Sequence, residues 1–230
     1  MRELISNARC VLFDFDGPVC RLFAVRTAES IAHRLRDLAA DLSVSALLSA
    51  ELRASTDPHQ VLRGIARRRP APGVVSRLEA ALTREEISAA ATAPPTPYAA
   101  ALIAALSTRG RQVAIATNNS PLAAEHYLNR HELAGYVAGR VHGRTQDMTR
   151  LKPHPDSLHR ALASTRTEPR HALMIGDSVA DYAAARSAEV PFLGYAFDES
   201  GAERLLAAGA RDVVRSLEHV LTALIAPASG

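Results

Sequence analysis

Cys10-Val11-Leu12-Phe13-Asp14-Phe15-Asp16-Gly17 is the stretch that decides how this chain is read. Cys10 to Phe13 is a short apolar run closed by a Gly17-Pro18 turn, the pattern of a buried strand. Alternate side chains of a strand share a face, so Asp14 and Asp16 point into one site if the strand continues through them. Two carboxylates that close disfavour each other's ionisation unless a cation or a shared proton intervenes. Oxygen ligands of this kind suit a hard divalent cation such as Mg2+. Taken alone, the pair reads equally well as a polar strand end facing water.

Outward from this stretch the chain changes character. From about Leu22 to Ala93 it is rich in Ala, Leu, Arg and Glu, which are strong helix formers, and it shows no alternating strand pattern. Ile31, Leu35 and Leu38 fall at helical spacing, as do Val61, Leu62 and Ile65. Asp57-Pro58 reads as an N-cap with proline at the first helical position. We expect an all-helical insert of three to four helices over residues 21–94. Pro94-Pro95-Thr96-Pro97 then forms a stiff return link.

Beyond the link the pattern alternates. A helix around Leu102, Ile103 and Leu106 precedes a strand at Val113–Ala116. Ser120-Pro121 caps a helix running to about Arg130, and Val137–Val141 is a further candidate strand. Pro155 opens a helix to about Ser164. Ala172–Ile175 is a strand, Val179–Ala188 a helix and Phe192–Tyr195 a strand. Two helices close the chain, and Ala226–Gly230 reads as a frayed tail. Such alternation implies an α/β fold with a doubly wound parallel sheet, covered by helices on both faces. The expected core is residues 1–20 and 95–230.

Composition narrows the function. The 230 residues carry a formal net charge of +3, too mild a balance for a nucleic-acid footprint. Five Tyr, five Phe and no Trp leave little material for base stacking. Cys10 and Cys20 are too few for a disulfide scaffold and lack zinc-ligand spacing. No apolar run approaches a membrane span, and Met1-Arg2-Glu3-Leu4 opens no signal-like segment. A cytoplasmic location, with no nucleic acid and no membrane as partner, is the expectation.

In a doubly wound sheet, ligands bind beyond the carboxyl ends of the strands. There the first strand carries Asp14 and Asp16, and the second carries Thr117, Asn118 and Asn119. Lys152-Pro153 precedes a later helix, and Gly176-Asp177-Ser178 with Asp181 follows the next strand. This four-part set resembles the haloacid dehalogenase-like hydrolase superfamily, over nearly the whole chain. The matching segments are Val11 to Gly17, Ile115 to Asn118, Leu151 to Pro155, and Met174 to Ser178 extended to Asp181. The helical insert after the first motif resembles the α-helical cap of the phosphoglycolate phosphatase-like and β-phosphoglucomutase-like branch.

The resemblance implies a Rossmann-like core and a Mg2+-dependent phosphatase acting on a small phosphorylated metabolite. Asp14 would be the nucleophile that forms an aspartyl-phosphate, and Asp16 the general acid–base. Thr117, Asn118 and Lys152 would bind the phosphoryl oxygens, with Lys152 neutralising their charge. Asp14, Asp177 and the backbone carbonyl of Asp16 would hold Mg2+. Asp181 is open between a metal ligand, an acceptor behind the ligands and a partner of Lys152.

A phosphomutase acting on a phosphosugar and a non-catalytic phosphate-binding module are the alternatives. Dehalogenase chemistry in this family lacks the second aspartate, so Asp16 speaks against it. Pro18 departs from the family pattern, which most often has Thr or Val after the glycine. Asn119 and Ser120 are candidates to supplement the phosphate contacts, with Ser120 also explained as a cap. Arg67-Arg68-Arg69 reads as a solvated helix end, while one of these, Arg21 or Arg26 is a candidate to meet an anionic substrate tail. His33, His59, His126 and His159 read as surface or packing residues.

Overall fold

The computed structural model describes residues 1–226. A parallel sheet of six strands runs through its centre: β1 (Cys10–Phe13), β2 (Gln112–Ala116), β3 (Val141–His142), β4 (Ala172–Gly176), β5 (Phe192–Tyr195) and β6 (Val213–Val214). Their order is β3-β2-β1-β4-β5-β6. β1 is central, pairing Val11 with Val113 on one side and with Leu173 on the other. Successive connections therefore leave β1 in opposite directions, which opens a crevice at the carboxyl ends of β2, β1 and β4.

Strands buried on both faces need apolar side chains at every position, and β1 supplies them. Val11 and Phe13 pack with Val113, Ile115, Leu173 and Ile175 on one face. Cys10 and Leu12 pack with Ala114, Ala116 and Met174 on the other. The first face is covered by α1 (Arg2–Asn7), α6 (Ala99–Thr108), α7 (Pro121–Arg130), α8 (Ala134–Val137) and α12 (Leu217–Ile225). The second lies under α9 (Asp156–Thr165) and α10 (Val179–Ser187), and α11 (Glu199–Ala207) packs beside β5 and β6.

Between β1 and β2 the chain is helical: α2 (Ala28–Asp41), α3 (Ala50–Ala54), α4 (Pro58–Arg67) and α5 (Val74–Ala90). Local chemistry starts these helices. The Thr27 hydroxyl accepts from Ser30 N at 3.2 Å, and the Asp57 carboxylate accepts from His59 N at 2.8 Å with Pro58 at the first helical position. Ile31, Leu35, Leu62, Ile65, Leu78 and Leu82 form an apolar cluster separate from the two against the sheet, joined by Met148 and Leu151 from the loop before α9. Leu22, Ala89 and Ala90, at the two ends of this segment, pack instead with the sheet.

Three elements differ from the sequence expectation. Val137–Val141 is not one strand: α8 ends at Val137, Ala138 and Gly139 take positive φ values of 49° and 73°, and β3 begins only at Val141. α1 and the two-residue β6 have no counterpart in the sequence pattern. Of the tail expected over Ala226–Gly230, all but Ala226 lies outside the described residues.

Candidate active site

A cleft of about 370 Å3 opens at the carboxyl ends of β1, β2 and β4, and all seven residues singled out in the sequence line it. β1 stops at Phe13, but Asp14 N donates to Ile175 O at 2.9 Å and so extends the ladder by one bond. The chain then turns sharply. Gly17 adopts φ +106°, and a Cβ there would stand 2.4 Å from the Asp177 carboxyl group, so only glycine lets the loop and that carboxylate approach. Pro18 is buried in this turn. Thr96 braces both sides of it, donating from Oγ1 to Gly17 O at 2.5 Å and from its backbone N to Val19 O at 3.2 Å.

Asp14, Asp177 and Asp181 present carboxylate oxygens within 4.8 Å of one another. One buried cation faces them. Lys152 Nζ lies 2.8 Å from Asp14 Oδ1, donates to Ala116 O at 3.0 Å and pairs with Asp181 Oδ1. The short Lys152–Asp14 contact is an ion pair, and Asp14 Oδ1 receives no other protein donor among the described residues. Asp181 is the better satisfied carboxylate. Its Oδ2 accepts from both the N–H and the hydroxyl of Ser178, completing a capping box at the start of α10.

Crowding of buried acids sets the electrostatics. Burial, then Asp181, pushes the Asp14 carboxyl above its usual range despite Lys152. Burial, then the neighbouring aspartates, pushes Asp177 well above its own. Asp16 is raised to about 7 by burial and by Asp14, although Leu22 N donates to its Oδ1 at 2.8 Å.

Thr117 is buried at the end of β2, its Oγ1 donating to Asn119 Oδ1 at 2.9 Å. The Asn118 side chain clamps the Lys152 backbone: its amide donates to Lys152 O at 3.3 Å, and its oxygen accepts from Lys152 N at 2.7 Å. Among the described residues, the backbone N–H groups of Phe15, Asp16 and Asn118 find no protein acceptor. They remain donors on the loops around the cleft floor, the arrangement that cradles anions.

Asn119 lines the cleft beside Thr117, and with Ser120 it reaches toward α5. The Glu86 carboxylate, fully buried, accepts from Asn119 Nδ2 at 3.1 Å, Ser120 N at 2.9 Å, and Arg144 at 2.9 and 2.8 Å. Ser120 occupies the N-cap position of α7 without a side-chain cap bond, and its own backbone N–H is the one that Glu86 accepts. His59 is not the surface or packing residue that the sequence suggests. It lines the cleft, with Nε2 2.9 Å from Glu86 Oε1 and Nδ1 3.5 Å from Asp57. Burial alone would push its pKa down, but Asp57 and Glu86 raise it to about 9. The only local signal for this role is the helix start at Asp57-Pro58; the partner stands 27 residues away.

The donor set fits a hard divalent cation. It consists of the carboxylate oxygens of Asp14, Asp177 and Asp181, with one lysine paired to the first and the last of them.

The chain matches the family model of haloacid dehalogenase-like hydrolases over residues 8–189. It is 33% identical over 132 residues to a plasmid-encoded phosphoglycolate phosphatase of Cupriavidus necator, covering 57% of this chain and 56% of that protein. It is 38% identical over 95 residues to a phosphoglycolate phosphatase of Rhodospirillum rubrum, covering 41% and 39%. The chain thus spans about half or less of the curated relatives it matches. Among solved structures, a predicted phosphatase from Clostridium acetobutylicum superposes with a TM-score of 0.67 at 19% identity, covering 93% of this chain and 96% of that one.

Proposed function

This chain belongs to the haloacid dehalogenase-like hydrolase family, and we propose that within it the protein is a Mg2+-dependent phosphatase that hydrolyses a small phosphomonoester through an aspartyl-phosphate. The observation that carries this reading is Asp14 itself: a buried carboxylate at the cleft floor, 2.8 Å from Lys152 Nζ and grouped with Asp177 and Asp181. The relatives that carry the name phosphoglycolate phosphatase support the substrate class.

Asp14 attacks phosphorus, and the bond to the ester oxygen breaks. Asp16, protonated, gives its proton to the departing alkoxide. A water then attacks the aspartyl-phosphate, Asp16 takes its proton, and inorganic phosphate leaves with Asp14 regenerated. A group raised to about 7 exchanges protons readily near neutral pH, which suits this double duty. Thr117, the free backbone N–H groups and Lys152 bind the phosphoryl oxygens. Asn118 positions Lys152 through its backbone. Asp14, Asp177 and the Asp16 carbonyl would hold Mg2+, which supplies positive charge for the phosphoryl oxygens. Asp181, with both oxygens engaged by Lys152 and Ser178, orients the lysine. Residues 21–94 act as a cap over the core formed by 1–20 and 95–230, and exclude water from the site.

Both ring nitrogens of His59 face carboxylates, so it offers no free acid–base group for the phosphomutase alternative. Phosphate release from p-nitrophenyl phosphate and a panel of metabolite esters tests the reading. Release is expected only with Mg2+ and is lost in Asp14→Asn; activity that survives EDTA or Asp14→Asn overturns it.

A further inference from the structure

The arginines that the sequence leaves as candidates for an anionic substrate tail separate clearly in space. Arg26 pairs with Glu85. Arg67, Arg68 and Arg69 are exposed at the end of α4. Arg21 alone lines a recess, of about 250 Å3, that opens on the site: Asp16, Phe23 and Asp177 belong both to it and to the main cleft. Its outer wall is Arg21, Tyr195 and Phe197.

Three observations make this wall a receptor for negative charge. Among the described residues, Arg21 forms no ion pair and donates no side-chain hydrogen bond. Its guanidinium lies over Phe197, 4.2 Å from the ring centroid, on an exposed side chain whose N–H groups are open to a ligand. Its backbone is fixed where the chain leaves and re-enters the core: Arg21 N donates to Pro94 O at 3.0 Å, and Cys20 bridges to Pro95. Phe197 is 59% exposed, an aromatic kept at the surface with the guanidinium as its neighbour.

We propose that Arg21, backed by Phe197 and Tyr195, is the subsite for a second oxyanion on the substrate, so that the preferred phosphomonoesters carry a carboxylate or a second phosphate on the leaving group. This rests on the phosphomonoesterase reading. Asp16 protonates the leaving oxygen, so the leaving group must extend past Asp16, and the recess begins there. Lys152 is committed to Asp14 and Asp181, and His59 to Asp57 and Glu86, so Arg21 is the cation left to meet a second charge. A guanidinium fork matches either oxyanion in bidentate fashion, whereas a neutral leaving group gains nothing from it.

Three matched two-carbon esters test the proposal: 2-phosphoglycolate, ethylene glycol bisphosphate and ethyl phosphate, assayed with Mg2+. The readout is the ratio of kcat/KM for each acidic ester to that for ethyl phosphate. Wild type is expected to favour at least one acidic ester. Arg21→Gln should lower that ratio by roughly three- to tenfold, mainly through KM. Arg21→Lys should recover part of it, and the exposed-site control Arg67→Gln should leave it unchanged. The acidic ester that loses more identifies whether carboxylate or phosphate is the natural tail. Circular dichroism and the melting temperature verify that each variant is folded. A ratio unchanged in folded Arg21→Gln, or a wild type that hydrolyses ethyl phosphate without preferring either acidic ester, overturns the subsite and leaves the phosphatase reading standing. Failure of all three esters while p-nitrophenyl phosphate or another panel ester is hydrolysed overturns the subsite alone, and failure of the whole panel overturns both.

Discussion

Asp14 and Asp16 are two residues apart and differ in what surrounds them. Asp14 is paired with Lys152, while Asp16 is turned to Leu22 N and raised to about 7. The two aspartates were legible in the sequence because period-two spacing at a strand end is a local property. So were Asp177, directly after an apolar run, Asp181, four residues further on, and Lys152, before a proline-led helix. His59 was not legible, because its significance lies in a carboxylate 27 residues away on another helix. Asp177 yields a prediction on stability. Its pKa is raised well above the usual value, so the charged form is disfavoured in the fold, and stability present at acid pH is lost as pH rises through the raised pKa. At neutral pH without metal, Asp177→Asn should therefore raise the melting temperature, by about 2–4 °C. The same variant should lose the stabilisation that Mg2+ confers on wild type, since it removes a proposed ligand. Thermal melts in EDTA and across a Mg2+ titration check both; an undiminished Mg2+ shift in Asp177→Asn removes this residue from the metal site.

At the level of elements, α5 does more than pack. Glu86 ties α4, through His59, to the loops after β2 and β3, through Asn119, Ser120 and Arg144. Thr117 is one hydrogen bond further along, so the loop after β2 and helix α4 meet at one carboxylate. Pattern reading expects helices across residues 21–94 but has no means to show that an acid of α5 faces inward: a Glu among Arg and Glu neighbours looks solvated. Likewise β3 and β6, two residues each, are too short to carry a period, and the positive φ of Ala138 and Gly139 breaks what reads as one strand. Glu86→Ala leaves Arg144 and His59 buried without their shared partner and should cost about 3–5 kcal/mol. Arg144→Ala should be similarly costly, and the double variant should cost clearly less than the two singles together. Urea denaturation of the four proteins measures the coupling. Additive losses would mean that the ion pair contributes nothing beyond its packing.

For the whole molecule, three apolar clusters account for the architecture that the sequence pattern anticipates: one on each face of the sheet and one among α2 to α5. What joins the helical segment to the sheet is in part the buried charge network, and its titration makes the stability of the entire fold depend on pH. Burial disfavours charged His59, but Asp57 and Glu86 outweigh it and lift its pKa from 6.5 to about 9. Burial likewise disfavours charged Glu86, but Arg144 and His59 lower its pKa from 4.5 to about 2. The His59 contribution is complete below pH 6.5 and is lost as pH rises through 9. The Glu86 contribution is complete above pH 4.5 and is lost as pH falls through 2. Both act in full only between about pH 4.5 and 6.5. The imidazolium's share, of order 3 kcal/mol from the size of its shift, should fade through mildly alkaline pH. Metal-free wild type should therefore lose melting temperature between pH 7 and 9.5 more steeply than His59→Gln, whose side chain does not titrate. Titrating groups that do not interact with His59 are common to both proteins and cancel in the difference, and of those that do, Asp57 and Glu86 stay charged throughout this range. The gap between the two melting curves should be widest near pH 6 and close toward pH 9.5. A gap that stays constant across that range would mean that His59 holds α4 by packing alone, and that the link between α4 and the loop after β2 does not run through its charge.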